Sequence, residues 1–217
     1  VIIGALHAKH QVRVNTLLQY RRRASLSSFS LLEILLVLAL VAIVVAIAMS
    51  AYTGMAQSTA VSTGADMISD VLAEARTSAI AQNTTVEVRI YNLAPQSAAT
   101  PAYDALQLHW LKADGTTPPV ANALLLPAWV VIDPSATHSP LIASSPDTPT
   151  PDASDMRLNA QTCAFRYLPD GSTDLNPATN WFMTVRAASQ SDPTDFPSNW
   201  ACVRVDPTTG RPQIYRP

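Results

Sequence analysis

The sequence predicts an α+β protein: one long N-terminal helix, transmembrane in its first half and amphipathic in its second, packed on a small antiparallel β-sheet domain. Three observations predict it. Between Leu31 and Met49 the only polar residue is Glu33. Apolar residues then recur at three- and four-residue spacing as far as Gln82. After Asn83 the period falls to two, in short runs separated by Pro- and Gly-containing turns.

The apolar run comes first. At 1.5 Å per residue, Leu31–Met49 makes a helix of roughly 28 Å, close to the ~30 Å hydrocarbon core of a bilayer. A helix packed on the core of a soluble protein of this size would show a polar face, and this run has none. Residues 1–28 hold Lys9, Arg13, Arg21, Arg22 and Arg23 and no acid, a charge of +5. Basic residues directly before an apolar span stay cytoplasmic. After position 50 there are nine Lys/Arg against fifteen Asp/Glu, or −6, so the acidic remainder is the exported part. That balance argues against nucleic acid as a general partner, because phosphate contacts need a basic surface. The chain opens on Val1 rather than Met, which leaves room for a true leader that begins nearer the arginines.

The chain therefore divides into a basic leader (1–28), a transmembrane helix (29–50), an amphipathic continuation (51–82) and an exported β-rich domain (83–217). In the continuation, Met67, Ile68, Val71, Leu72, Ala75 and Ala79 form one stripe. Asp66, Asp70 and Glu74 line the opposite side and must face water, since like charges four apart repel. Gly54 and Gly64 are candidate flexible points. In the first strand Val86, Val88 and Ile90 alternate with Glu87, Arg89 and Tyr91, the pattern of a half-buried strand. Further strands are expected at Ala105–Leu111, Ala128–Ile132, Thr162–Tyr167, Trp181–Arg186, Ala201–Val205 and Gln213–Tyr215. Turns are expected at Pro169-Asp170-Gly171-Ser172 and Pro207-Thr208-Thr209-Gly210. Pro134–Ser154 is rich in Pro, Ser, Thr and Ala and reads as a long loop.

The segment Arg21-Arg22-Arg23-Ala24-Ser25-Leu26-Ser27-Ser28-Phe29-Ser30-Leu31-Leu32-Glu33-Ile34 carries the functional signal. A carboxylate in an apolar span costs up to ~3 kcal/mol near the bilayer centre, so Glu33 is a functional candidate. The segment resembles the processing site of type IV pilins and pseudopilins. The resemblance implies a prepilin peptidase that cuts between Ser28 and Phe29 and methylates the new amine of Phe29. It also implies that Glu33 meets the cationic amine of a neighbouring subunit when helices stack in a filament. The family usually has Gly where this chain has Ser28. A second similarity lies near the C-terminus, in Phe165-Arg166-Tyr167-Leu168-Pro169-Asp170-Gly171-Ser172, Trp181-Phe182-Met183-Thr184-Val185 and Val203-Arg204-Val205-Asp206-Pro207-Thr208-Thr209-Gly210-Arg211. These runs resemble H-type minor pseudopilins and, more closely, the Verru_Chthon cassette protein D family. Together the two similarities imply a minor subunit of a type II secretion or type IV pilus-like system in a bacterial inner membrane. Its implied partners are the prepilin peptidase, other pilin or pseudopilin subunits, the inner-membrane assembly platform and the lipid bilayer.

Other signals are weaker. Cys163 and Cys202 are a candidate disulfide in an oxidising compartment, with buried thiols as the alternative. Asp170-Gly171-Ser172-Thr173-Asp174 has alternating oxygen side chains. A twelve-residue calcium loop would put Gly and Glu where Leu175 and Trp181 stand, so a turn is the better reading. His7, His10, His109 and His138 lack metal spacing, and His109 reads as a packed or surface residue. No cofactor or metal is expected, and no nucleophile, phosphate-loop or zinc-protease motif points to an enzyme. Arg204, Arg211 and Arg216 make the C-terminal hairpin locally basic, a candidate nucleic-acid contact or a set of solvated arginines. An ordinary signal sequence, cut at Ala46-Ile47-Ala48 to leave Met49, would instead give a secreted or anchored binding domain.

Overall fold

The computed structural model describes residues 30–93, 103–144, 161–189 and 199–217. Helix α1 runs from Leu31 to Gln82, 52 residues without a proline. It contributes to two compact units, residues 1–49 and 50–217. Ser30 opens it: the Glu33 N–H donates to Ser30 Oγ at 3.1 Å and to Ser30 O at 3.0 Å. The other end closes on a left-handed residue, Asn83, with φ 49°. There Thr84 N–H donates to Ala79 O and Asn83 N–H to Ile80 O, the bond pair of a Schellman cap.

Within the second unit, Val61, Ala65, Ile68, Leu72, Ala75 and Ala79 are buried along one face of α1. The expected stripe is present, extended backward to Val61. Met67 and Val71 flank it as half-buried residues, and Asp66, Asp70 and Glu74 are exposed. Gly64 is a packing position. The helix passes through it unbroken, and a Cβ there would stand 2.9 Å from Val130 Cγ1, so glycine permits close packing.

The described residues of the β domain form two four-stranded antiparallel sheets. One has the order β3-β2-β1-β5, from β1 (Val86–Asn92), β2 (Ala105–Trp110), β3 (Leu124–Leu125) and β5 (Gln161–Tyr167). The other has the order β4-β6-β7-β8, from β4 (Val130–Ile132), β6 (Trp181–Ala187), β7 (Trp200–Val205) and β8 (Pro212–Tyr215). Register places Val88 between Leu108 and Phe165, and Met183 opposite Val203. Side-chain alternation then puts Val86, Val88, Ile90, Leu106, Leu108 and Phe165 on one face, in the same core as Met183, Val185, Val203 and the α1 stripe. At the chain's end, Arg76 Nε donates to Thr209 O at 2.7 Å and Arg216 pairs with Asp66 at 3.0 Å, fastening the β7–β8 hairpin to α1.

Two expectations need correction. β1 is not half-buried: Glu87, Arg89 and Tyr91 are enclosed like Val88 and Ile90 between them. The loop 111–123 covers their face. Arg89 Nη2 donates to Thr117 Oγ1 at 3.2 Å, Gln107 Nε2 donates to Ala121 O at 3.4 Å, and His109 Nδ1 lies 2.8 Å from Thr117 O. Nor is Pro134–Ser154 irregular in its described part. A short helix, α2 (Pro140–Ala143), buries Leu141 and Ile142. Ser139 Oγ accepts from Thr184 N–H at 3.0 Å, satisfying β6 beyond the end of β4. Residues 145–154 lie outside the described part.

Candidate functional site

The functional signal in the sequence falls at the start of α1. Ser28, Phe29 and the leader 1–28 lie outside the described residues; Glu33 lies within them. It occupies the first turn of α1, where unpaired N–H groups favour a carboxylate, and its own N–H is held by Ser30. The Glu33 carboxylate is exposed and has no ion-pair partner among the described residues. Around it, every large apolar side chain from Leu31 to Met49 is 51–78 % exposed. The mean hydropathy reaches 3.2 over an 18-residue window, so the helix is long and apolar enough to cross a membrane. Chemically, the segment offers one acceptor for a cation and otherwise only apolar contact.

The remaining candidate residues are not gathered into one site. Cys163 and Cys202 are not joined to each other in this structure. They stand on different sheets: Cys163 faces the core with Phe165, whereas Cys202 lies on the opposite face to Ala201 and Val203. Burial pushes the Cys163 thiol up to about 12 and the Cys202 thiol up to about 11, so neither is a ready thiolate nucleophile. The three C-terminal arginines do not converge on one site. Arg216 holds Asp66 and Ser62 Oγ, Arg204 Nη2 reaches Asn180 Oδ1 at 3.4 Å, and Arg211 is exposed. The Asp170 segment is a turn in which the Ser172 hydroxyl and N–H hold the Asp170 carboxyl below its usual range. His109 is fully buried against Tyr91 and Thr117. Among the described residues no cluster of three His, Cys, Asp or Glu side chains could hold a metal.

Sequence reasoning missed two buried ion-pair systems. Glu87 accepts from Arg89 Nε at 2.6 Å and from Arg166 Nε at 3.0 Å. Asp133 accepts from Arg186 Nε at 2.7 Å and from Ser135 N–H at 2.8 Å. Burial works to raise the Asp133 carboxyl, but the Ser135 and Arg186 bonds outweigh it and hold it below the usual range. Glu87 and Arg89 sit two apart on one strand with opposite charge, which was a readable hint of a pair. Asp133 and Arg186 meet only through the β4–β6 register.

No protein-family model matches the chain, and no curated protein matches it. Among solved structures, the chain is similar to the minor pseudopilin EpsH from the type 2 secretion system of Vibrio cholerae, at 14% identity and a TM-score of 0.44, over 72% of this chain and 97% of that one.

Proposed function

We propose that the chain is a minor pilin-like subunit, closest in kind to H-type pseudopilins and the Verru_Chthon cassette protein D family. In this reading a prepilin peptidase cuts between Ser28 and Phe29 on the cytoplasmic side and methylates Phe29. Leu31–Met49 then holds the chain in the bacterial inner membrane, with the acidic β domain exported. On assembly into a short filament, Glu33 neutralises the amine of an adjoining subunit in a poorly solvated place. The observation that carries the reading is Glu33: one carboxylate, without a partner among the described residues, in an otherwise apolar exposed helix directly behind a Phe29-Ser30-Leu31-Leu32 opening. The reaction belongs to the peptidase; this chain serves as substrate and building block.

N-terminal mass spectrometry of the protein from its native host tests the processing step. The expected mature chain begins at Phe29 with a methylated amine. A chain that begins at Met49 would instead establish the ordinary signal sequence, and one that keeps Arg21-Arg22-Arg23 an uncleaved anchor.

A further inference from the structure

Helix α1 packs on the core face of the sheet that holds β1 and β2, and it ends before that face does. Its last residue is Gln82, and Asn83, with φ 49°, turns the chain back towards β1. The β1–β2 register pairs Val86 with Trp110. Leu111 N–H donates to Thr85 O at 2.9 Å, which carries that register on to Thr84 and Lys112. Alternation then places Thr84, Trp110 and Lys112 on the side of buried Val86, where the helix no longer covers it. With Gln82 they line an open cleft of about 440 Å³, within the roughly 300–1,000 Å³ range of small-molecule sites.

The lining combines one aromatic surface with polar groups that the chain leaves available. Trp110 is half-buried against the core, so its ring is supported on one side and open on the other. The Gln82 amide and the Lys112 ammonium are exposed and have no hydrogen-bond or ion-pair partner among the described residues. Asp114, two positions from Lys112, accepts instead from the Thr116 N–H at 2.9 Å and the Thr116 hydroxyl at 2.6 Å. The Thr84 hydroxyl donates to Gln82 O at 3.0 Å, and its oxygen retains lone pairs with which to accept.

We propose that this cleft binds a saccharide, with one sugar ring stacked on Trp110. Every sugar hydroxyl both donates and accepts, and the lining answers both: the Gln82 amide does either, Lys112 donates and Thr84 accepts. The C–H groups on one face of a pyranose carry slight positive charge and suit the negative face of an indole ring. A simple anion is a poorer match, because a single exposed ammonium stands beside the negative, C-terminal end of α1. An organic cation would meet that same ammonium. All four residues belong to the second compact unit, so the proposal stands whether or not the chain enters a filament.

The test titrates the isotope-labelled full chain, in a sugar-free zwitterionic detergent, with cellobiose and with the N-acetylglucosamine disaccharide, and follows side-chain N–H signals by NMR. Glycerol and sodium acetate serve as controls. Saturable shifts of the Trp110 indole and Gln82 amide signals are expected with at least one disaccharide, while the indole of exposed Trp129 stays in place. A preference for one disaccharide supports the proposal and separates a glucan from an amino-sugar glycan as the source. Trp110→Ala should abolish binding. Gln82→Ala and Lys112→Ala alter exposed side chains and keep the test valid if Trp110→Ala fails to fold; each should weaken binding by about threefold or more. No response to either disaccharide, an equal response to glycerol, a response to acetate alone, or equal shifts at Trp129 overturns the proposal. Wild-type affinity in both exposed variants overturns it as well.

Discussion

Leu38 and Leu72 belong to the same helix, yet Leu38 keeps 60 % of its surface exposed and Leu72 keeps none. The carboxylates divide in the same way. Glu87 and Asp133 are buried in the β domain, and each accepts an arginine Nε of this chain at close range. Glu33 lies in the most apolar stretch of sequence and has no such partner among the described residues. The contrast teaches where the chain is chemically complete. Among its described residues the β domain pairs these buried carboxylates itself and packs its own core. The N-terminal run does neither, which is what a segment completed by lipid and neighbouring helices requires.

The largest expected effect comes from breaking self-sufficiency in the β domain. Glu87→Ala leaves Arg89 enclosed without its carboxylate and should destabilise the protein by about 3–5 kcal/mol. Urea unfolding of the full chain in detergent would show this as a fall in midpoint, and a loss under about 1 kcal/mol would mean that the pair is wet or rearranged.

Next comes the pair of leucines. Leu72→Ala should cost about 2–5 kcal/mol in the same experiment, whereas Leu38→Ala should stay within about 0.5 kcal/mol. Equal costs would erase the distinction between the two halves of α1.

A smaller effect lies in the acid limb of stability. The Asp133 carboxyl is held below its ordinary value in the fold. Its stabilising contribution is therefore complete above the unfolded value of ~3.9 and is lost as pH falls through the lower folded value. Asp133→Asn should be less stable than wild type at neutral pH, and the gap should narrow on acidification below that point. A gap of constant size from neutral to strongly acidic pH would show that the fold does not hold the Asp133 carboxyl below its unfolded value.

Much of this fold was legible because periodicity is a local signal. The stripe Ile68, Leu72, Ala75, Ala79 and the inward set Val86, Val88, Ile90 follow from spacing alone. The fate of Glu87, Arg89 and Tyr91 did not, because alternation identifies two faces and cannot say what covers the second. Here the loop through Thr117 and Ala121 covers it. The division into two sheets was hidden for a related reason. β5 pairs with β1 across a large sequence separation, and such register is set by the assembled core. Leu141 and Ile142 were overlooked because four residues are too few to show a period. Gly64 looked like a weak point in a helix, and only the nearness of Val130 reveals it as a packing position. At the candidate site, Glu33 stood out in the sequence because charge within an apolar run is rare.

The most direct test of the proposed assembly role replaces Glu33 by Ala in the native host and measures two fractions, chain retained in the membrane and chain recovered in sheared or cross-linked filaments. Retention at the wild-type level is expected, with incorporation reduced roughly tenfold or more, equivalent to at least ~1.4 kcal/mol of lost pairing. Wild-type incorporation of Glu33→Ala would contradict the charge-pairing account.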